Sequence, residues 1–217
     1  MTAAITRPGT LTLYGCPNTR SLRAAWALEE AGADYGYVKI DLMKGQGRSA
    51  EFLAINPGGK VPALFDDGQV ITESGAILTH IGERHPASGL IPGLDSPKRR
   101  AACFEWLFFV IAELEQPLWT IAKHRFALPA DLRVPQIEAT AVKEFQRAVN
   151  VAQVRLGERE FALGDAFSAA DILLAHTVAW AKSARVPFES AALEAHFARS
   201  WARTARERAD ARERAPT

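Results

Sequence analysis

The first 85 residues alternate short apolar runs with helix-like repeats, which is the pattern of a small α/β unit. Strand patterns occupy 11–14, 35–40, 61–65 and 69–72, and helical patterns occupy 20–31, 49–54 and 74–84. The Asp-Gly pair between the last two strand patterns favours a tight hairpin. The predicted order is therefore β-α-β, a linking helix, and then β-β-α.

Beyond residue 97 the apolar positions recur only at helical spacing, as in the stripe from Phe104 to Ile111. Prolines and glycines cluster in 86–97, which predicts a linker. The sequence thus predicts two domains, an α/β domain over about 1–85 and an all-α domain over about 96–217. Mixed charge in 203–214 predicts a frayed, solvent-exposed helix at the end of the second domain.

Composition excludes several classes of function. The net charge of +1 gives no electrostatic reason to expect nucleic acid or an anionic membrane as a partner. Cys16 and Cys103 lie far apart without a CxxC pair, which argues against a disulfide scaffold or a metal site and fits a reducing compartment. Residues 1–10 lack the apolar region of a secretion signal, and no apolar run approaches the roughly 18 residues of a membrane span. We therefore expect a cytoplasmic protein.

Two neighbouring segments carry the clearest chemistry. Val61 and Pro62 open a strand pattern, and a proline there leaves backbone groups available to an extended peptide. Glu73 and Ser74 begin a helical pattern about a dozen residues later, where free N–H groups and the positive end of the helix dipole favour a carboxylate. Together they predict a site for a small peptide with an ionised terminus.

Four motifs give the chain a resemblance to the cytosolic glutathione transferases. They are Leu13-Tyr14-Gly15 leading into Trp26-Ala27-Leu28-Glu29-Glu30, Asn56-Pro57-Gly58-Gly59-Lys60-Val61-Pro62-Ala63-Leu64, Ile71-Thr72-Glu73-Ser74-Gly75-Ala76-Ile77, and Phe167-Ser168-Ala169-Ala170-Asp171. The resemblance extends over roughly residues 10–200. It implies an N-terminal thioredoxin-like domain that binds glutathione, followed by an all-helical domain.

The resemblance also implies roles for five residues in binding glutathione. Pro62 would follow a cis peptide bond, and Val61 would pair with the cysteinyl backbone like an added strand. Ser74 would hold the γ-glutamyl carboxylate, and Glu73 would orient the γ-glutamyl end. Lys60 would pair with the glycine carboxylate. Simpler alternatives are a helix cap for Ser74 and a solvated loop side chain for Lys60.

Lys44 and Gln46 compete with Lys60 for the glycine carboxylate, in a loop that the sequence does not place.

The residue that activates the glutathione thiol lies, in this family, between the first strand and the first helix. Thr19 is the first candidate, because it stands four residues before Arg23 as the serine does in many serine-type members, and its hydroxyl can donate to a thiolate. Ser21 is the second candidate, and Cys16 is a third. Arg20 occupies the position of the cysteine in the bacterial cysteine-type members, which argues against mixed-disulfide chemistry of that type.

The resemblance places a second, hydrophobic substrate between the domains, on the first long helix of the C-terminal half. Trp106, Phe109 and Glu113 lie on the stripe that would line this site. Core packing or a dimer interface is the alternative for each residue.

These features predict a detoxifying transferase that joins the glutathione thiolate to a hydrophobic electrophile. Glutathione would be the co-substrate, no metal would be needed, and family habit suggests a homodimer. One alternative is a glutathione-dependent disulfide or peroxide reductase. Another is a non-catalytic binding module that keeps the fold.

Overall fold

The structure is a computed structural model, and it describes residues 11–215. The described chain divides into two compact units. One comprises residues 11–91 together with 202–215, and the other is Pro92–Trp201. Residues 1–10, on which the expectation of no secretion signal depends, lie outside the described part.

The first unit contains a four-stranded sheet with the order β2-β1-β3-β4. Its strands are β1 (Thr12–Gly15), β2 (Gly36–Lys39), β3 (Ala63–Asp66) and β4 (Gln69–Thr72). β1 pairs with β2 in parallel, whereas β3 is antiparallel to both β1 and β4. Asp67 and Gly68 join β3 to β4 with φ values of 44° and 86°, and two positive φ values are what a type I′ hairpin requires. The predicted α/β unit and its hairpin are confirmed.

Three helices of this unit follow the predicted pattern, namely α1 (Ser21–Glu30), α2 (Ala50–Ile55) and α3 (Ser74–Arg84). Trp26 and Leu28 of α1 are completely buried, as are Ile77 and Leu78 of α3. Burial of apolar area of this kind is the main source of stability for an α/β layer.

The second unit is helical throughout its long elements. These are α4 (Pro97–Phe109), α5 (Glu115–Ala122), α6 (Ile137–Leu156), α7 (Ala169–Ser183) and α8 (Ala191–Trp201). π-helical turns at Val110–Leu114 and Lys123–Ala127 follow α4 and α5. The all-helical character predicted for this part of the chain is confirmed. None of the helices between residues 11 and 215 is long and apolar enough to cross a membrane.

The tail predicted to be frayed is an ordered helix, α9 (Thr204–Arg214), and it belongs to the sheet unit. Arg203 forms an ion pair with Glu30 at 2.6 Å, and Arg208 forms one with Glu29 at 2.9 Å. These contacts join α9 to the end of α1. The expectation of a solvated tail was therefore wrong, and the tail does not group with the helical unit as the sequence boundary of 96–217 implied.

A buried polar cluster holds the start of α7. The Asp171 carboxylate is inaccessible to solvent, and its Oδ2 accepts hydrogen bonds from the Ser168 backbone N and Oγ, both at 2.8 Å. Its Oδ1 accepts from the Ala162 backbone N at 2.6 Å and lies 2.8 Å from Nε2 of His196. Ser168 and Asp171 thus form a capping box at the start of α7, and Asp171 also ties α7 to α8 and to the preceding turn.

Replacing Asp171 by Ala should lower the free energy of unfolding by about 3 kcal/mol or more, because several buried donors would lose one acceptor together. Urea unfolding of the two proteins measures the difference. Asp165→Ala is the matched control, since Asp165 is exposed in the same loop region. Equal loss in both variants would contradict the role assigned to the cluster.

Candidate functional site

The hydroxyl of Ser74 stands at the beginning of α3 and is backed by a buried positive charge. Ser74 is 6% exposed, and its Oγ accepts a hydrogen bond of 3.2 Å from Nη1 of Arg23. Arg23 lies within α1 and is inaccessible to solvent. A guanidinium stays charged at any physiological pH, so it adds to the positive end of the α3 dipole. This arrangement favours an anion at Ser74.

Glu73 precedes this helix in an unusual backbone conformation, with φ 66° and ψ 119°. A positive φ is uncommon for a residue other than glycine and costs free energy, and such positions cluster at ligand sites. The Glu73 side chain is exposed. Its carboxylate is therefore accessible to a cationic group placed near Ser74.

The peptide bond between Val61 and Pro62 is cis, as predicted. β3 begins to pair with its neighbours at Ala63, on both the β1 side and the β4 side. Val61 therefore lies beyond both ladders, two residues before the first paired residue. This position suits a backbone segment that pairs with an extended ligand.

A tight turn from Asn56 to Lys60 leads into this segment. Asn56 is 8% exposed, its Nδ2 donates to the Lys60 carbonyl at 2.6 Å, and its Oδ1 accepts from the Gly58 N at 2.9 Å. Gly59 has φ 62°, and a Cβ at Gly59 would lie 2.5 Å from the carbonyl oxygen of Gly47. Only glycine fits where the two backbones approach so closely. The Lys60 side chain itself is exposed.

The loop after β2 contains the two competing candidates and one basic residue that the sequence analysis missed. Lys44 pairs with Asp41 at 3.5 Å, and the Gln46 Oε1 accepts from the Asp41 N at 2.7 Å, so both side chains contact their own loop. Arg48 instead places its guanidinium beside Gly59. No periodicity marked Arg48, because its proximity to the turn depends on the backbone contact between Gly47 and Gly59.

The loop between β1 and α1 gathers the hydroxyls proposed for thiol activation. Thr19 Oγ1 lies 2.6 Å from the Cys16 carbonyl, to which it donates, and 2.9 Å from Ser21 Oγ. Ser21 Oγ also accepts from the Cys16 N at 3.1 Å. Thr19 is partly exposed, whereas Ser21 is inaccessible to solvent. The structure therefore places Thr19 toward solvent with Ser21 behind it, and a direct contact from Ser21 to a ligand is not supported.

The phenol of Tyr14 and the thiols of the two cysteines differ in accessibility. Tyr14 is 2% exposed and packs against Phe52 with a ring separation of 6.3 Å, which supports its role in the core of the sheet unit. Cys16 is partly exposed. Cys103 is buried, and burial raises the pKa of its thiol to about 12, so it is inert near neutral pH.

The residues predicted to line a second-substrate site differ in their exposure. Trp106 is 4% and Phe109 is 9% exposed, and their rings make an edge contact at 5.9 Å. The guanidinium of Arg155 on α6 covers the Phe109 ring at 4.7 Å. Glu113 is exposed. The burial of Trp106 and Phe109 fits the core-packing alternative, and the second-substrate role stays a prediction.

Comparison with known proteins shows the family of the chain. Residues 9–83 match the N-terminal domain of glutathione S-transferases. The zeta-class glutathione S-transferase of Euphorbia esula is 34% identical over 157 residues, covering 71% of this chain and 68% of that protein. The chain belongs to the glutathione S-transferase family.

Two further relatives show the range of this transferase family. The disulfide-bond oxidoreductase YfcG of Escherichia coli strain K12 is 32% identical over 169 residues, covering 75% of this chain and 76% of that protein. A sphingomonad glutathione S-transferase, solved in complex with glutathione, superposes with a TM-score of 0.79 at 32% identity, covering 94% of this chain and all of that one. The predicted fold class, a thioredoxin-like domain with a helical C-terminal region, is confirmed.

The close backbone contact at Gly59 makes a specific prediction about stability. Gly59→Ala should cost about 2 kcal/mol or more, because left-handed strain is combined with a clash against the Gly47 carbonyl. Gly68→Ala is the control, since Gly68 has φ 86° with open space around its missing Cβ, and it should cost only about 1 kcal/mol. Urea denaturation of both variants tests this, and equal losses would argue against the contact.

Proposed function

We propose that this protein binds glutathione on its sheet unit and transfers the glutathione thiolate to a hydrophobic electrophile. The observation that carries the proposal is the Ser74 hydroxyl at the start of α3, with the buried Arg23 guanidinium 3.2 Å behind it. In this proposal the γ-glutamyl carboxylate binds Ser74 Oγ and the N–H groups that open α3. The exposed Glu73 carboxylate pairs with the γ-glutamyl ammonium.

The cysteinyl and glycine parts of glutathione extend from there along the sheet. Val61 exchanges backbone hydrogen bonds with the cysteinyl residue, as an added strand would. Two cations of the sheet unit are candidates for the glycine carboxylate, namely Lys60 and Arg48. Arg48 is the addition that the structure suggests, because its guanidinium lies against Gly59 in the turn that leads to Val61.

Thr19 is the proposed thiol activator, with Ser21 as its support. In this structure the Thr19 hydroxyl donates to the Cys16 carbonyl and lies 2.9 Å from Ser21 Oγ. On binding of glutathione the Thr19 proton turns from the Cys16 carbonyl to the sulfur, and Ser21 Oγ donates to Thr19 Oγ1 in its place. Such a bond favours the thiolate and lowers the pKa of the bound thiol. The thiolate then forms a carbon–sulfur bond, and the leaving group departs with the electron pair of its former bond.

Disulfide reduction is a second candidate, because the YfcG relative at 32% identity is named a disulfide-bond oxidoreductase. In that reaction two glutathione molecules are oxidised to glutathione disulfide while the substrate disulfide is reduced to two thiols. Turnover of an aryl halide, compared with turnover of a small disulfide at equal glutathione concentration, separates the two reactions. Faster turnover of the disulfide would favour the reductase.

We also propose that the protein forms a homodimer and needs no metal, in keeping with the family it belongs to. Size-exclusion chromatography with light scattering measures the oligomeric state, and activity after dialysis against a chelator measures the metal requirement.

Ser74→Ala should weaken glutathione binding roughly tenfold or more, because a hydrogen bond to a charged carboxylate is lost. Isothermal titration calorimetry measures both dissociation constants. Ser183→Ala, a change of the same type at an exposed site on α7, should bind like the wild type. Unchanged affinity in Ser74→Ala would rule out this placement of the carboxylate.

Thr19→Ala should raise the pKa of the bound glutathione thiol by about one unit, which corresponds to the loss of one hydrogen bond to a thiolate. The ultraviolet absorbance of the thiolate, followed against pH, measures this pKa. Thr140→Ala, on an exposed face of α6, is the control. An unaltered titration would exclude Thr19, and the same titration of Cys16→Ala would then test the third candidate.

A further inference from the structure

The last helix of the chain is tied to the sheet unit along its length by arginines. Arg203 meets Glu30 at 2.6 Å, and Arg208 meets Glu29 at 2.9 Å. Arg212 lies 3.2 Å from Glu29 and donates to the Tyr35 carbonyl at 2.9 Å. Its guanidinium also covers the Tyr35 ring at 4.3 Å. These contacts join α9 to the end of α1 and to Tyr35, which directly precedes β2.

The final turn of α9 contacts the loop that contains Thr19. Arg214 Nη2 donates to the Asn18 Oδ1 at 3.2 Å. Asn18 has φ 60°, a left-handed conformation that asparagine tolerates better than most residues. The Asn18 side chain is therefore held from outside its own loop, one residue before Thr19.

Glu213 makes the second connection, from the inward face of the same turn. Its carboxyl group is 1% exposed, and the Tyr37 hydroxyl donates to its Oε1 at 3.2 Å. Burial raises the pKa of Glu213 to about 8. A buried carboxyl is costly without a hydrogen-bond partner, so the pairing with Tyr37 is a structural requirement of this helix position.

Tyr37 connects Glu213 to the loop between β1 and α1. A Cβ placed on Gly15 would lie 2.5 Å from the Tyr37 hydroxyl oxygen and 2.9 Å from Ser21 Cβ. The Tyr37 hydroxyl thus packs directly on the Gly15 backbone, beside Ser21. Ser21 Oγ in turn contacts the Cys16 N and Thr19 Oγ1.

We propose that α9 is a positioning element for the thiol-activating loop, in which Glu213 holds Tyr37 against Gly15 and Ser21, and Arg214 holds Asn18. Tyr37 and Glu213 are positioning residues, since they act on Thr19 through Ser21. The inference rests on the proposed glutathione site for its catalytic meaning, but the positioning of the loop can be measured without glutathione.

Three variants and one control test the pairing of Glu213 with Tyr37. Glu213→Leu removes the acceptor, Glu213→Gln keeps an acceptor oxygen, and Tyr37→Phe removes only the hydroxyl. Glu207→Leu is the matched control, because the Glu207 side chain is 60% exposed on the same helix. Circular dichroism and thermal unfolding first identify which variants are folded.

The first readout is the rate at which iodoacetamide alkylates Cys16. Cys16 and Cys103 are the two cysteines of the chain, and Cys103 is buried, so the reaction reports on the loop. Glu213→Leu and Tyr37→Phe should change this rate by about threefold or more, because the reactivity of a cysteine depends on its exposure and on its neighbours. Glu213→Gln and Glu207→Leu should react like the wild type.

The second readout is the pKa of bound glutathione, compared with the affinity for S-methylglutathione, which has no ionisable thiol. Glu213→Leu and Tyr37→Phe should raise the thiol pKa by about half a unit and leave the affinity for S-methylglutathione within about twofold. A variant that is merely misfolded would lose both. Tyr37→Phe decides the question if Glu213→Leu does not fold.

Unchanged Cys16 reactivity in the folded variants, or an unchanged thiol pKa, would overturn the inference. If the wild type binds neither glutathione nor its S-methyl derivative, the proposed function fails. The alkylation rates then still decide whether α9 positions the loop.

Discussion

A guanidinium buried inside the sheet unit is the constraint on which the candidate site depends. Arg23 is inaccessible to solvent in the first turn of α1, and a charge in that position needs polar partners. One of them is the Ser74 hydroxyl, which comes from the start of α3, 51 residues later in the chain. The same contact therefore fixes α1 against α3 and concentrates positive charge at the helix start where an anion would bind. The hydrogen bond between Arg23 and Ser74 thus contributes both to the packing of the two helices and to the proposed anion site.

The candidate site has two sides, and they are built from different structural features. The side proposed to bind the glutathione backbone consists of backbone features, namely the cis bond at Pro62, the positive φ of Glu73 and the glycine contact between Gly47 and Gly59. The thiol side consists of side chains in a short loop, whose hydroxyls contact one another and whose neighbours come from β2 and α9. Substitution of a side chain in this loop can therefore change the reaction while the backbone features on the other side are kept. This fits the varied activities named among the relatives of the chain.

Local sequence signals predicted most of the fold and part of the site. The Asp67-Gly68 hairpin, the helix start at Ser74 and the Val61-Pro62 bond each depend on residues adjacent in the chain, so pattern and resemblance were sufficient. The contact between Arg23 and Ser74 joins distant segments, and its only local sign was a charged residue within an apolar helix. Helical spacing likewise could not show that Trp106 and Phe109 are covered, because periodicity identifies a face but not its neighbours.

The error at the C-terminus has a physical reason. α9 buries Ala205, Ala209 and Glu213, spaced by four residues, so a helical stripe was present. Two of its members are small and the third is ionisable, and the surrounding arginines gave the segment the composition of a solvated helix. Its docking depends on ion pairs with Glu29 and Glu30 and on one buried carboxyl, which hydrophobic patterning does not detect.

A crystal structure of the protein with glutathione would test the central claim most directly. The account predicts the γ-glutamyl carboxylate at Ser74, the cysteinyl backbone paired with Val61, and the sulfur within hydrogen-bonding distance of Thr19 Oγ1. Glutathione bound with its carboxylate away from Ser74, or with its sulfur remote from Thr19, would contradict it.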